Sequence, residues 1–138
     1  MPKRDTYHYQ VRNALVKDGW TITADPMTLE WEDALYYPDL DAERVIAAEK
    51  GSEKIAVEIK CFLSPNFMRD FYEAIGQYDN YMIALADVEP ERKVILAVSQ
   101  KAYDQFFHKT AIQRILEIKN ISLLIFNIDN ELIESWIR

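Results

Sequence analysis

Three observations predict one mixed α/β domain. Residues 43–49 and 54–62 are rich in apolar and β-branched side chains and flank Lys50-Gly51-Ser52-Glu53, a turn sequence, so they read as a hairpin. Val94-Ile95-Leu96-Ala97-Val98 and residues 122–126 are continuous apolar runs of strand length, the pattern of strands covered on both faces. Residues 67–85 carry Phe71, Ala74, Ile75, Tyr78, Met82 and Leu85 at helical spacing. A meander followed by a helical crossover makes at least one parallel strand pair.

The remaining elements follow in order. Residues 5–18 read as a helix with Tyr7, Val11, Ala14 and Leu15 on one face, Asp5 or Thr6 as its cap, and Gly19 at its stop. Trp20-Thr21-Ile22-Thr23 is β-prone, and Asp25-Pro26 marks a turn. Residues 27–37 fit either a loop or an irregular strand. Ser64-Pro65-Asn66 ends the second hairpin strand and starts the long helix. Residues 100–119 are helical with a break near Lys109-Thr110, and residues 127–138 form a short terminal element. Residues 1–138 are read as one domain, without repeats or low-complexity tracts.

Composition narrows the function classes. Apolar residues make up 49% and charged residues 28%, as in ordinary soluble domains. Transmembrane-length apolar runs and a secretory h-region are both missing, so the expectation is a cytoplasmic protein without membrane contact. Cys61 is the single cysteine, which excludes an intrachain disulfide and reads as a small buried hydrophobe. The formal net charge of −7 argues against a free-standing nucleic-acid binder. A carboxylate cluster neutralised by a cation, or a basic partner protein, softens that argument.

Chemistry concentrates in the hairpin. Side chains alternate along a strand, so Ile55, Val57 and Ile59 point one way while Glu58 and Lys60 share the other face. Asp39, Asp41 and Glu43 lie just upstream. Carboxylates beside an ammonium can hold a hard divalent cation and activate water. The Glu-x-Lys pattern alone is weak, because Glu91-Arg92-Lys93 and Glu117-Ile118-Lys119 repeat it in a charged loop and at a helix end. Gln77 and Tyr81, four apart on the next helix, share a face and can reach toward the same place.

Asp39, Glu58-x-Lys60 and Gln77-x-x-x-Tyr81 together resemble the PD-(D/E)xK nuclease superfamily, with its restriction-endonuclease-like mixed sheet flanked by helices. Nearly the whole chain is similar to the XisH family, cyanobacterial proteins described as controlling factors for excision of the fdxN element. The similarity runs through Asp5-x-x-His8, Ala14-Leu15-x-Lys17-Asp18-Gly19-Trp20, Thr21-Ile22-Thr23, Asp25-Pro26, Asp39-Leu40, Ala42-Glu43-Arg44, Ala48-Glu49-Lys50-Gly51, residues 55–60, Gly76-Gln77-Tyr78 and Val88-Glu89-Pro90. It implies a role in programmed DNA rearrangement with a site-specific recombinase and an XisI-type partner. Homo-oligomerisation stays open.

The resemblance also implies site roles. Glu58 would bind Mg²⁺ or Mn²⁺ together with a second carboxylate. Asp39 matches the family's Pro-Asp dipeptide. Glu43 is placed slightly ahead on geometry, because a turn centred on Gly51-Ser52 sets Glu58 opposite Val45 and Lys60 opposite Glu43. Lys60 would position or deprotonate the attacking water and stabilise charge on phosphorus, Gln77 would orient water, Lys60 or phosphate, and Tyr81 would support it. Resolvase-like relatives often carry an acid on the first helix. His8 stands at that place, as a softer ligand suited to Mn²⁺ or Zn²⁺ or as a hydrogen-bonding group toward a metal-bound water or phosphate. DNA is the implied substrate, and a non-catalytic regulator built on the same fold is the competing reading.

Other features carry less. Lys3, Arg4, Arg12 and Lys17 are the best candidates for a phosphate-facing patch, but a solvated helix face is the preferred reading of them. Trp31-Glu32-Asp33, Tyr36-Tyr37 and Trp136-Ile137 read as packing or protein-interface residues. His108 reads as a charge complement at a helix C-terminus.

Overall fold

The computed structural model describes residues 7–31, 34–36 and 45–138, with the side chains of residues 30, 31 and 34–36 left aside. Its elements are α1 (His8–Lys17), β1 (Thr21–Ala24), β2 (Leu29–Trp31), β3 (Ala34–Tyr36), β4 (Val45–Lys50), β5 (Glu53–Ile59), α2 (Phe67–Val88), β6 (Arg92–Ser99), α3 (Gln100–Phe106), α4 (Thr110–Ile118), β7 (Leu123–Phe126) and β8 (Ile133–Ile137). Six strands form a mixed sheet in the order β1-β4-β5-β6-β7-β8, and β2-β3 is a separate small hairpin.

The hairpin register is the one the turn chemistry dictates. β4 and β5 pair antiparallel from Val45↔Glu58 to Lys50↔Glu53. Gly51 takes φ +61°, which glycine adopts without a Cβ penalty. Beyond β5 the sheet turns parallel: β5 pairs with β6, and β6 with β7. Both crossovers, α2 and then α3-α4, lie on one face, because Phe71, Ala74, Tyr78, Leu85, Phe107, Ile112 and Leu116 share one core with Ala56, Leu96 and Val98. α1 covers the other face, where Val11, Leu15 and Trp20 pack on Ile55, Val57, Ile59 and Ile95.

Local signals explain most boundaries. Asn66 caps α2 by accepting from the Arg69 N–H at 3.1 Å, and Ser99 caps α3 by accepting from the Ala102 N–H at 3.0 Å. Gly19 ends α1 with φ +94°. The helical region 100–119 divides before Thr110, as its sequence predicts. The α2 stripe differs in one place: Met82 is exposed and Tyr81 is buried instead. Both positions border a stripe of this width, and the larger aromatic ring reaches the core. Residues 27–37 contain the β2-β3 hairpin, and the terminal element is an edge strand, β8, antiparallel to β7. Trp136 there packs on Trp20 at 5.8 Å between ring centroids. The suggested caps Asp5 and Thr6 lie outside the described residues.

A second ionic cluster closes the start of the parallel pair. Arg92 opens β6 and is 8% exposed. Its Nε and Nη2 donate to Glu89 at 2.8 and 3.1 Å, and Nη2 also donates to Glu49 at 3.2 Å. Nη1 donates to the Ile55 and Ala48 carbonyls at 2.9 and 3.4 Å. Burial disfavours this charge, but the bonds and charges of Glu89 and Glu49 outweigh it and hold the pKa of Arg92 raised.

Candidate active site

At the opposite, C-terminal end of β5, Glu58 is 1% exposed and Lys60 8% exposed. Their face follows from alternation: Ala56 packs on the α2 side, whereas Ile55, Val57 and Ile59 pack on the α1 side. Glu58 and Lys60 therefore point toward α2. Lys60 Nζ meets Glu73 Oε1 of α2 at 3.5 Å. The Lys60 N–H donates to the Ala97 carbonyl at 3.4 Å, which keeps this residue beside β6 past the end of β5.

α2 supplies the other wall. Glu73, Gln77 and Tyr81 recur every four residues and so share one helix face. Tyr81 is 1% exposed, deeper than a core-edge residue. Gln77 Oε1 is buried without a hydrogen-bond partner among the described residues. Such an oxygen carries a penalty of about 1–3 kcal/mol unless a donor or cation meets it. Beside this stripe, the Tyr78 hydroxyl donates to the Val94 carbonyl at 3.1 Å and accepts from the Ser122 N–H at 3.0 Å. Burial raises the pKa of Tyr78, the Ser122 hydrogen bond opposes the rise, and the charges of Glu58 and Asp79 add to it.

The chain leaves β5 sharply. Phe62 has φ +57°, a left-handed conformation that costs a bulky residue roughly 1 kcal/mol or more. Packing holds it there, since its ring lies 5.4 Å from that of Phe67 and 5.3 Å from that of Phe107. This bend turns residues 62–66 away from the sheet and into α2, so that α2 runs back over Glu58 and Lys60.

His8 is 2% exposed on α1, the helix of the opposite face, and its Nε2 lies 2.9 Å from Asp25 Oδ2. Arg12 donates to the same Asp25 oxygen at 2.5 Å. Lys17 donates to the Asn130 carbonyl at 2.9 Å. The α1 basic face is thus engaged within the chain where it is described, and Lys3 and Arg4 lie outside the described residues. Asp39 and Glu43 also lie outside them. Among the described residues, no three His, Cys, Asp or Glu side chains gather as a metal-binding group. Cys61 is partly exposed, in contrast to the buried hydrophobe expected.

Both Glu-x-Lys repeats are surface features: Glu91, Lys93, Glu117 and Lys119 are all exposed. Only Glu58 and Lys60 combine burial, a shared strand face and a polar helix stripe opposite. Glu73 is the residue that sequence reasoning missed. Its signal was the four-residue spacing of Gln77 and Tyr81, which continues one turn back to Glu73.

The fold and site define a mixed α/β protein with a buried carboxylate–ammonium pair at the C-terminal end of a sheet strand. The XisH protein family model matches residues 1–134, and the chain belongs to the XisH family. It is similar to the crystal structure of an XisH family protein from Nostoc punctiforme, with 37% identity over 97% of this chain and 100% of the other, at a TM-score of 0.88. It is also similar to the structure of an fdxN element excision controlling factor protein from Anabaena variabilis, with 38% identity over 98% of this chain and 100% of the other, at a TM-score of 0.89. Among curated proteins, none matches the chain. Among the described residues, no helix is long and apolar enough to cross a membrane.

Proposed function

We propose that this chain is a controlling factor for excision of a DNA element of the fdxN type, and that its Glu58–Lys60 end is a PD-(D/E)xK nuclease-type site that cleaves DNA phosphodiesters. The excision role is carried over from the Anabaena variabilis relative, which aligns over nearly the full chain. The observation that supports the chemical reading is the burial of Glu58 and Lys60 on one strand face toward α2, the helix that carries Gln77 and Tyr81 and whose Glu73 meets Lys60. Burying ionic groups costs several kcal/mol each before compensation, a cost that folding alone gives no reason to place here.

The donor set fits a hard divalent ion. Glu58 offers carboxylate oxygens in a buried setting, and the buried Gln77 Oε1 is a further oxygen without a hydrogen-bond donor among the described residues. Asp39 or Glu43 would complete the set with Glu58. When bound, Mg²⁺ or Mn²⁺ would supply Lewis acidity to a phosphate oxygen and acidify water. Lys60 would stabilise negative charge growing on the phosphoryl oxygens, and its contact with Glu73 holds its ammonium toward α2. Gln77 would orient Lys60, water or phosphate, and Tyr81 would support it from the next turn. His8 would contribute from α1, where its Nε2 lies 2.9 Å from Asp25 Oδ2.

The net charge of −7 favours a second reading, in which the fold serves as a non-catalytic regulator acting through an XisI-type partner and the site-specific recombinase. One assay separates the two. Metal-dependent nicking or cleavage of duplex, nicked or branched DNA, abolished in Glu58→Gln and Lys60→Ala with unchanged circular dichroism, supports the enzyme. Failure to cleave any of these with Mg²⁺ or Mn²⁺, together with normal excision by Glu58→Gln, supports the regulator.

A further inference from the structure

The distribution of cations is uneven in this acidic chain. Most described cations away from the site meet a carboxylate: Lys50 meets Asp18, Lys54 meets Glu91, Lys119 meets Asp79, and Arg92 meets Glu49 and Glu89. Arg69, Lys101 and Lys109 are exposed, and none of them has an ion-pair partner among the described residues. Lys101 and Lys109 border one aromatic cluster, and Arg69 lies in the first turn of the helix that Phe67 opens. Phe67 stacks on Phe106 at 4.4 Å, and Lys109 Nζ sits 5.8 Å from the Phe67 ring centre. Lys101 lines a cleft of about 240 Å³ together with Ser64, Gln105 and Phe106. Arg69 lies two residues past Phe67 and one helical turn before Glu73, so it continues the Arg69-Glu73-Gln77-Tyr81 stripe out to the surface.

The described carboxylates at this end are occupied. Asp70 is 7% exposed and accepts from the Ser64 N–H at 3.3 Å. Asp104 accepts from Gln100 at 2.8 Å and lies 4.0 Å from His108. Glu73 meets Lys60. The positive charge of the three cations is therefore less cancelled locally than that of the paired cations elsewhere. A polyanion approaching the end of β5 meets attraction at short range, within the roughly 8–10 Å over which exposed charges act at ordinary ionic strength.

We propose that Arg69, Lys101 and Lys109 form the track on which the phosphodiester backbone of duplex DNA lies beside the Glu58–Lys60 site. The orientation of the track toward a scissile phosphate rests on the nuclease reading above, whereas its affinity for DNA does not. Ser64 and Gln105 in the adjoining cleft add neutral hydrogen-bonding groups of the kind that position phosphates. The track lies at the ends of α2 and α3, not on the α1 face where Arg12 and Lys17 already have internal partners.

The test is fluorescence anisotropy of a labelled duplex with the whole protein, in EDTA so that cutting plays no part, across a salt series. The triple variant Arg69→Glu/Lys101→Glu/Lys109→Glu is compared with a control reversal, Lys17→Glu/Lys93→Glu, on exposed cations elsewhere. Each lost phosphate contact lowers the slope of log K against log salt by about 0.9, so the track variant loses roughly 2–3 units of slope and at least about 10-fold in affinity. The control stays within about 2-fold. Neutral Gln variants at the three track positions, with melting temperatures measured alongside, give an intermediate loss and exclude misfolding as the cause. Equal weakening by the control, an unchanged slope in the track variant, or no duplex binding by the native protein overturns the track. DNA binding through the track without metal-dependent cleavage leaves the track standing and removes the nuclease reading instead.

Discussion

Two buried ionic clusters sit at opposite ends of one parallel strand pair, and they are built on opposite principles. At the start of β6, every N–H of the Arg92 guanidinium donates to a carboxylate or to a strand carbonyl. That cluster ties β4, β5 and the α2-β6 turn together. At the end of β5, Glu58 and Lys60 point toward α2, whose Gln77 Oε1 is buried with no hydrogen-bond donor among the described residues, and Lys60 meets the half-exposed Glu73 at 3.5 Å. A saturated network rigidifies a fold, while a spare acceptor such as Gln77 Oε1 suits a ligand. Open α/β sheets place ligands beyond the carboxyl ends of their parallel strands, and the Glu58–Lys60 end is that end.

The sharpest way to break this comparison is to remove Arg92. Arg92→Met leaves Glu89 and Glu49 without their cation and two strand carbonyls without a donor, so stability falls by about 3–5 kcal/mol in urea unfolding. Glu58→Gln, at the other end, is expected to change stability by less than about 1 kcal/mol, because groups placed for function are often neutral to fold stability when replaced. Equal losses from the two substitutions would erase the distinction.

Tyr78→Phe comes next. It removes a hydroxyl that links Val94 to Ser122 across β6 and the start of β7, for a loss of about 1–3 kcal/mol. The raised pKa of Tyr78 adds an alkaline signature. A tyrosine whose folded pKa lies above its unfolded value of 10.0 contributes stability that is full below that value and is lost as pH rises through the folded pKa. Tyr78→Phe flattens this alkaline limb in melting curves.

The smallest effect is on the acid side. Hydrogen bonding from Arg92 lowers the pKa of Glu89 against the opposing pull of burial. A depressed carboxylate contributes stability above its unfolded pKa and loses it as pH falls through the folded value. Glu89→Gln therefore makes the melting temperature less dependent on pH between about 5 and 3. The partly exposed position of Glu89 keeps this contribution small.

The hairpin register was legible because a glycine turn and a two-residue side-chain period leave one pairing that buries Ile55, Val57 and Ile59 together. The parallel order of β5, β6 and β7 followed from helices lying between apolar runs. Tyr81 and Met82 exchanged roles because adjacent helix positions both border the apolar stripe, and only packing decides between them. Glu73 escaped notice because the four-residue spacing that runs back from Tyr81 and Gln77 to Glu73 gains meaning only once Lys60 is seen to face it. The track cations were equally silent: Arg69, Lys101 and Lys109 are far apart in sequence, and their lack of acidic partners is a property of the folded surface. Asp39 and Glu43 lie outside the described residues, so the second carboxylate rests on strand pairing and resemblance alone.

The central claim, that the Glu58–Lys60 end is a divalent-metal site, is tested most directly by calorimetric titration of Mn²⁺ into the native protein and into Glu58→Gln. The account predicts a saturable binding heat in the native protein that Glu58→Gln abolishes while its melting temperature is retained. Absence of binding at millimolar Mn²⁺, or binding that Glu58→Gln leaves unchanged, would contradict it.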